Sequence, residues 1–154
     1  ITNDLRYRTG IPSSVIMEYG KGKIGLITFN LGKNYFKWNH FVIRDFLSDM
    51  VNRLWEDPII QADGSHLVHI TLNTQGDRLL INLINTSGNH ANPDILGLDE
   101  IPSVGPLNVS VRYKKKPASL RLQPSNKKIT FNYENGILTF KIPELELYSI
   151  VEIR

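Results

Sequence analysis

Three carboxylates between residues 86 and 106 are the side chains of this chain that come nearest to catalytic chemistry. Asp94, Asp99 and Glu100 lie there, and hydrolysis catalysed by a pair of carboxyl groups needs the two groups roughly 5 to 9.5 Å apart. Asp99 and Glu100 are adjacent, and adjacent side chains of an extended segment point in opposite directions. Turn formation and a salt bridge to a neighbouring strand therefore explain these residues better than catalysis does.

Histidines are the second group that could do chemistry, as metal ligands. His66 and His69 are three residues apart, and on a strand they would lie on opposite faces, so they would not share an ion with each other or with His90. The chain has no cysteine, which excludes disulfides, thiol catalysis and thiolate ligands. The sequence predicts exposed histidines on a strand surface, no metal and no cofactor.

Rings are concentrated in one short segment. Tyr35, Phe36, Trp38 and His40 follow an apolar, strand-like run and precede a helical pattern. Ligands of open α/β sheets gather beyond the carboxyl ends of the strands, and aromatic faces stack on sugar rings. Aromatic side chains also anchor protein interfaces. An interface with another domain or subunit is favoured here, and a sugar-binding site is the alternative.

Composition describes an ordinary globular chain. Of 154 residues, 41% are hydrophobic and 21% charged, which excludes a disordered class. No apolar run approaches the ~20 residues of a membrane helix. The net charge is only +3, and the single basic run, Lys114–Lys116, is typical of a solvated loop. We therefore expect neither a nucleic-acid partner nor a membrane partner. The chain begins at Ile1 rather than Met, which suggests an upstream segment.

The first 58 residues have the pattern of an α/β unit. Ser13–Tyr19 and Lys23–Asn30 are strand-like, and the glycine-rich link between them predicts a hairpin. The second of these runs is apolar almost throughout, as in a strand that is covered on both faces. An aromatic loop follows. Apolar residues then recur every three or four positions over 41–55, which predicts one amphipathic helix with Asn39 as its N-cap.

Residues 59–65 form the predicted domain boundary, and the pattern beyond it is that of strands. Alternating runs and turn signals, of which Asn135-Gly136 is the strongest, indicate about seven strands over roughly ninety residues, as in an immunoglobulin-like antiparallel β-sandwich. The predicted fold is therefore mainly β. The side chains predicted to face the sandwich core are Val68, Ile70, Leu72, Leu83, Val109, Val111, Leu120, Phe131, Phe140 and Ile150.

Short motifs carry a resemblance to a known family. The segment Tyr19–Lys23, an apolar strand, the segment Phe29–Gly32, the aromatic cluster and a helix together resemble the end of the flavodoxin-like, or trimerisation, domain of bacterial beta-galactosidase-like glycoside hydrolases. The sandwich resembles the C-terminal domain of the same enzymes. The segments that carry this second likeness are Arg78–Asn85, Asp99–Pro102, Val104–Leu107, Asn135-Gly136 and Tyr148–Ile153.

The resemblance implies a multidomain bacterial parent whose catalytic (β/α) barrel lies upstream. Residues 1–58 would be the remnant of its flavodoxin-like domain, a hairpin plus one helix, and residues 59–154 its C-terminal sandwich. The predicted function is a non-catalytic accessory and oligomerisation portion of a glycoside hydrolase, which is not an enzyme by itself. Its partners would be the upstream barrel and other copies of the chain. The alternative is a carbohydrate-binding sandwich module, whose partner is a glycan.

Two segments match the acceptor pattern for N-linked glycans. They are Asn85-Thr86-Ser87 and Asn108-Val109-Ser110. In a bacterial protein, which the resemblance implies, both matches are coincidental. The sequence leaves the compartment open among cytoplasm, periplasm and the outside of the cell.

Overall fold

The computed structural model describes residue 10 and residues 12–38, 40–88 and 100–154. The chain divides into two compact units, residues 1–58 and residues 59–154. Antiparallel strands dominate the described residues, and both described helices belong to the first unit. The mainly β fold class with a small helical part is confirmed.

The first unit is a β-hairpin followed by two helices. Strand β1 (Ser14–Tyr19) pairs antiparallel with β2 (Gly22–Ile27). Gly20 begins the turn between them with a φ of +60°, a conformation that glycine adopts without steric cost. Helices α1 (Leu31–Trp38) and α2 (Phe41–Leu54) follow.

Helix α1 lies where the sequence predicts an aromatic loop, so the prediction of a single helix is wrong. The side chain of Asn30 accepts a hydrogen bond from the backbone N–H of Lys33 at 3.2 Å, which is the geometry of an N-cap. Leu31 is buried and Tyr35, one turn later, is half-buried, so the helix has a short apolar side. Gly32 lowers the helix propensity of this segment, and eight residues are too few to show a clear helical period of apolar residues. The sequence pattern therefore did not reveal this helix.

The side chain that caps α2 is that of His40. The backbone N–H of Val42 donates to His40 Nδ1 at 3.3 Å, and an acceptor at this position satisfies one of the free N–H groups of the first turn. Asn39, the predicted cap, lies outside the described residues.

Helix α2 covers one face of the hairpin. Met50 and Leu54 pack against Gly25 of β2, where an added Cβ would lie 2.8 Å from Leu54 Cδ1. The other face, called the apolar face below, is largely exposed, so β2 is not covered on both faces in the described structure. The residues of the apolar face are Val15, Met17, Tyr19, Ile24 and Leu26.

The second unit is a sandwich of two antiparallel sheets. Its described strands are, in chain order, β3 (Ile60–Asp63), β4 (Val68–Gln75), β5 (Arg78–Asn85), β6 (Leu107–Arg112), β7 (Leu120–Gln123), β8 (Lys127–Ile129), β9 (Phe131–Glu134), β10 (Ile137–Ile142) and β11 (Tyr148–Ile153). The front sheet has the order β3-β6-β10-β9, and the back sheet has the order β4-β5-β11-β7-β8. Both sheets turn apolar side chains inward, and thirteen buried hydrophobic residues of the described part make one core cluster.

The described part of the sandwich has nine strands rather than the predicted seven. Strand β3 pairs with β6 in the segment that the sequence marks as a boundary. The run from Ile129 to Tyr133, in which apolar residues alternate as in one strand, contains parts of two strands: Ile129 ends β8 of the back sheet, and Phe131 begins β9 of the front sheet. Thr130 is the one residue between the two strands. Because a single unpaired residue does not interrupt the alternation of apolar and polar residues, the sequence does not reveal the break.

Nine of the ten predicted core residues face the interior, and Ile150 does not. Leu83, Val109, Val111, Leu120 and Phe140 are buried, whereas Val68, Ile70, Leu72 and Phe131 are half-buried and pack against the core. In β11 the core residues are Val151 and Ile153, and Ile150 lies on the opposite face because side chains alternate. Apolar residues occur on both faces of this strand, so the sequence did not determine which face is inward.

Candidate functional site

The predicted aromatic site is spread around helix α1 and the start of α2. Phe36 is 87% exposed and Trp38 is 66% exposed, whereas Tyr35 is half-buried. Residues two apart on a helix do not face each other, so Phe36 and Trp38 do not form one flat platform. The ring of His40 stacks on that of Phe41, with centroids 4.9 Å apart.

The exposed rings are suited to anchoring contacts rather than to catalysis. Lys37 Nζ lies 4.7 Å from the centroid of the Trp38 ring, so a cation already occupies one face of the indole. The apolar face of the hairpin adds a second exposed hydrophobic surface to the same unit. Contiguous exposed apolar surfaces mark interaction sites in soluble proteins.

Of the predicted carboxylates and metal-ligand histidines, those with described positions are not grouped into a site. Glu100 is exposed, and Asp94 and Asp99 lie outside the described residues. His66 and His69 are exposed, and His90 is not described. Among the residues with described positions, no three His, Cys, Asp or Glu side chains are grouped so that they could hold a metal ion. Neither described helix has the length and apolarity to cross a membrane.

The outer side of the front sheet carries a set of polar side chains that the sequence did not group. A shallow groove of about 530 Å³ lies over this side. Six of the polar side chains that line it, called the polar face below, are Asp63, Asn108, Ser110, Asn132, Thr139 and Lys141. Asn108, Ser110 and Asn132 are outward positions that the alternation predicts, but cross-strand neighbours depend on a register that local sequence does not specify.

The outer side of the back sheet carries a cluster of paired polar side chains around Glu152. Glu152 is only 4% exposed. Its carboxylate accepts hydrogen bonds from Arg154 at 2.9 and 3.0 Å, from Arg78 at 2.9 Å and from Gln123 at 3.2 Å. The bonds from Arg154 hold the pKa of Glu152 below its usual value, although burial alone would raise it. This cluster has a structural role, because its polar groups are hydrogen-bonded to one another.

Asn85 is a buried polar residue that the sequence reasoning missed. It is 5% exposed, and its Nδ2 donates to the carbonyl oxygens of Pro102 at 2.9 Å and Glu146 at 2.5 Å. Its Oδ1 accepts from the backbone N–H of Ser87 at 2.9 Å. The side chain thus joins the end of β5 to two neighbouring loops. The sequence did contain one indication of this buried role, which is a single amide at the otherwise apolar end of a central strand.

Comparisons with known proteins yield a fold and no family. No protein-family model matches the sequence, and no curated protein matches it. Among solved structures, alpha-L-fucosidase isoenzyme 2 from Paenibacillus thiaminolyticus matches with a TM-score of 0.73 and 17% identity, over 90% of this chain and 21% of that chain. A cycloisomaltooligosaccharide glucanotransferase from Paenibacillus sp., complexed with cycloisomaltoheptaose, gives a TM-score of 0.40 and 16% identity over 71% and 20% of the two chains.

The first likeness establishes the fold. Coverage of 90% is more than the sandwich unit alone supplies, so the match extends into the first unit. At 17% identity a shared fold does not carry shared chemistry, and the second likeness is too distant to support an argument. The chain spans 21% of the fucosidase.

Proposed function

We propose that this chain is a non-catalytic accessory and oligomerisation portion of a multidomain glycoside hydrolase. The observation that carries the proposal is the fold, which this chain shares across 90% of its length with 21% of a chain named as an alpha-L-fucosidase. Most of that protein lies outside the matching region.

The exposed apolar face supports the oligomerisation part of this proposal. Met17 and Ile24 face each other across the hairpin, and both are about half exposed. A hairpin with one helix on one face leaves such a surface for another domain or another subunit to cover. The finer parts of the proposal rest on the family resemblance alone: a bacterial beta-galactosidase-like parent, an upstream (β/α) barrel, and a flavodoxin-like origin of residues 1–58.

A glycosidase assay tests the non-catalytic part. We expect the purified chain to release no nitrophenol from aryl galactosides, fucosides or glucosides, because a carboxylate pair supplies the proton donor and the nucleophile that the reaction needs. Turnover that persists after repurification and disappears in Asp99→Asn or Glu100→Gln would overturn the proposal. The coding sequence around these 154 residues gives an independent test: no (β/α) barrel in the same reading frame would contradict the proposed parent.

A carbohydrate-binding module is the second candidate, and the polar face is the observation that favours it. This face presents hydroxyl, amide, ammonium and carboxylate groups over an open groove, and sugars are recognised through such groups. Calorimetry with free sugars and oligosaccharides tests this role. Measurable heat of binding without turnover would favour the module over a purely structural part, and the same measurement on Trp38→Ala shows whether the aromatic residues contribute.

A further inference from the structure

We propose that the polar face of the front sheet binds an uncharged oligosaccharide through hydrogen bonds. This inference rests on the carbohydrate-binding candidate above and assigns it a surface and a ligand class. The aromatic residues of the first unit are not needed for it.

The polar face is a regular array because strand pairing fixes it. Asp63, Asn108 and Lys141 are direct neighbours across three strands. Ser110, Thr139 and Asn132 form the next row across β6, β10 and β9. Neighbouring strands lie about 4.8 Å apart, and side chains two residues apart on one strand lie about 7 Å apart. Donors and acceptors at these spacings suit the hydroxyl groups of successive sugar rings.

These six side chains are available to a ligand. None of them forms a hydrogen bond or ion pair with a described residue, and all are exposed except the half-buried Ser110. On the outer side of the back sheet, by contrast, Glu152 accepts bonds from three side chains. The outer side of the back sheet thus holds one paired cluster around Glu152, whereas the six side chains of the polar face present free donors and acceptors over a groove.

The charges of the polar face indicate the kind of sugar. Asp63 and Lys141 stand at the two ends of one row with Asn108 between them, so the face has one negative and one positive group and no net charge. A strongly anionic glycan would meet Asp63 without a compensating excess of cations. A neutral oligosaccharide can use both groups as hydrogen-bond partners, and its affinity should change little with salt concentration.

Titration of the isotopically labelled full chain tests the inference, with amide chemical shifts followed by NMR. The neutral probes are maltohexaose, cellohexaose and galactotetraose, and the anionic probe is hexagalacturonate. We expect at least one neutral probe to shift amides of β6 and β10. Asn108→Ala and Asn132→Ala should each raise its Kd about threefold to tenfold, the effect of losing one neutral hydrogen bond. Asn73→Ala, an exposed asparagine on β4 of the back sheet, is the matched control.

Three results would overturn the inference: no neutral probe shifts these amides, hexagalacturonate binds more tightly than every neutral probe, or Asn73→Ala weakens binding as much as the front-sheet variants. Binding that is lost in Trp38→Ala without shifts in the front sheet would overturn the polar face and leave the carbohydrate-binding candidate standing. The accessory role is judged separately by the turnover assay.

Discussion

Phe131 and Phe140 face each other across β9 and β10, yet their surroundings differ. Phe140 lies on a strand with a partner on each side and is 6% exposed, whereas Phe131 lies on β9, an edge strand, and is half-buried. We predict that Phe140→Ala lowers the free energy of unfolding by about 3–5 kcal/mol and that Phe131→Ala lowers it less.

Urea denaturation followed by circular dichroism measures both losses. Thr139→Ala, an exposed neighbour on β10, is the control and should change stability by no more than about 0.5 kcal/mol. Equal losses at the two phenylalanines would show that the edge strand is packed as tightly as the interior strand.

The carboxylate of Glu152 should make the free energy of unfolding decrease at acid pH. Its pKa in the folded chain is lowered, first by hydrogen bonds from Arg154, so the ionised form stabilises the fold above the pKa of the unfolded chain. That contribution is lost as the pH falls through the lower, folded-state pKa. We predict that the urea midpoint of the unmodified chain falls more steeply below about pH 4.5 than that of Glu152→Gln, and that the variant is the less stable of the two at pH 7.

Glu56 provides the matched control for this acid effect. Its pKa is also lowered, by the hydrogen bond from Lys23, but its side chain is largely exposed, and solvent screens an exposed pair. Glu56→Gln should therefore change the acid profile much less than Glu152→Gln does. Superimposable acid profiles for the unmodified chain and Glu152→Gln would contradict the role given to this carboxylate.

Two glycines show how the connections between strands are built. Gly64, after β3, has a φ of +117°, and an added Cβ would lie 2.1 Å from the carbonyl oxygen of Pro106. Gly76, between β4 and β5, has a φ of +57° with nothing within 4 Å. We predict that Gly76→Ala costs about 1–2 kcal/mol, the penalty of a left-handed conformation, and that Gly64→Ala costs at least twice as much.

Thermal and urea unfolding of the two alanine variants compare these costs directly. The conformational penalty acts in both variants, while the clash with the backbone of residue 106 acts only in Gly64→Ala. A smaller loss for Gly64→Ala than for Gly76→Ala would mean that the segment around β3 moves away at little cost.

The elements show where sequence reasoning succeeds. Strands with one apolar and one polar face, such as β4 and β6, could be predicted because their alternation is regular. Strand β11 could not be oriented, because its apolar residues fall on both faces. Helix α1 was missed because eight residues with a glycine carry a weak period. The outward direction of Asn108 was predictable, but its place beside Asp63 and Lys141 depends on pairing between strands distant in sequence.

At the scale of the whole molecule, the two units differ in how much of their apolar surface is buried. Its sandwich unit encloses a continuous core, while the hairpin of the first unit keeps its apolar face largely in solvent. Because burial of apolar area drives association, we predict that the chain self-associates and that the double variant Met17→Lys, Leu26→Lys does so less. Sedimentation velocity over a range of concentrations measures the effect.

Ile137→Lys controls for added charge in this experiment. Ile137 is also about half exposed, but it lies in the sandwich unit, so its replacement should leave self-association unchanged. A sedimentation coefficient of the unmodified chain that does not vary with concentration would contradict a role for the apolar face in pairing copies of this chain.

The buried amide of Asn85 restricts how this chain can be produced. Its Nδ2 is the atom to which an N-linked glycan would be attached in a eukaryotic secretory host, and that atom is directed at two carbonyl oxygens inside the sandwich unit. A chain glycosylated there cannot close its loops around residue 85. Asn108, in contrast, is exposed, and a glycan on it would cover the polar face. A bacterial expression host avoids both problems. Yeast, in contrast, would secrete in folded form only those chains in which Asn85 carries no glycan.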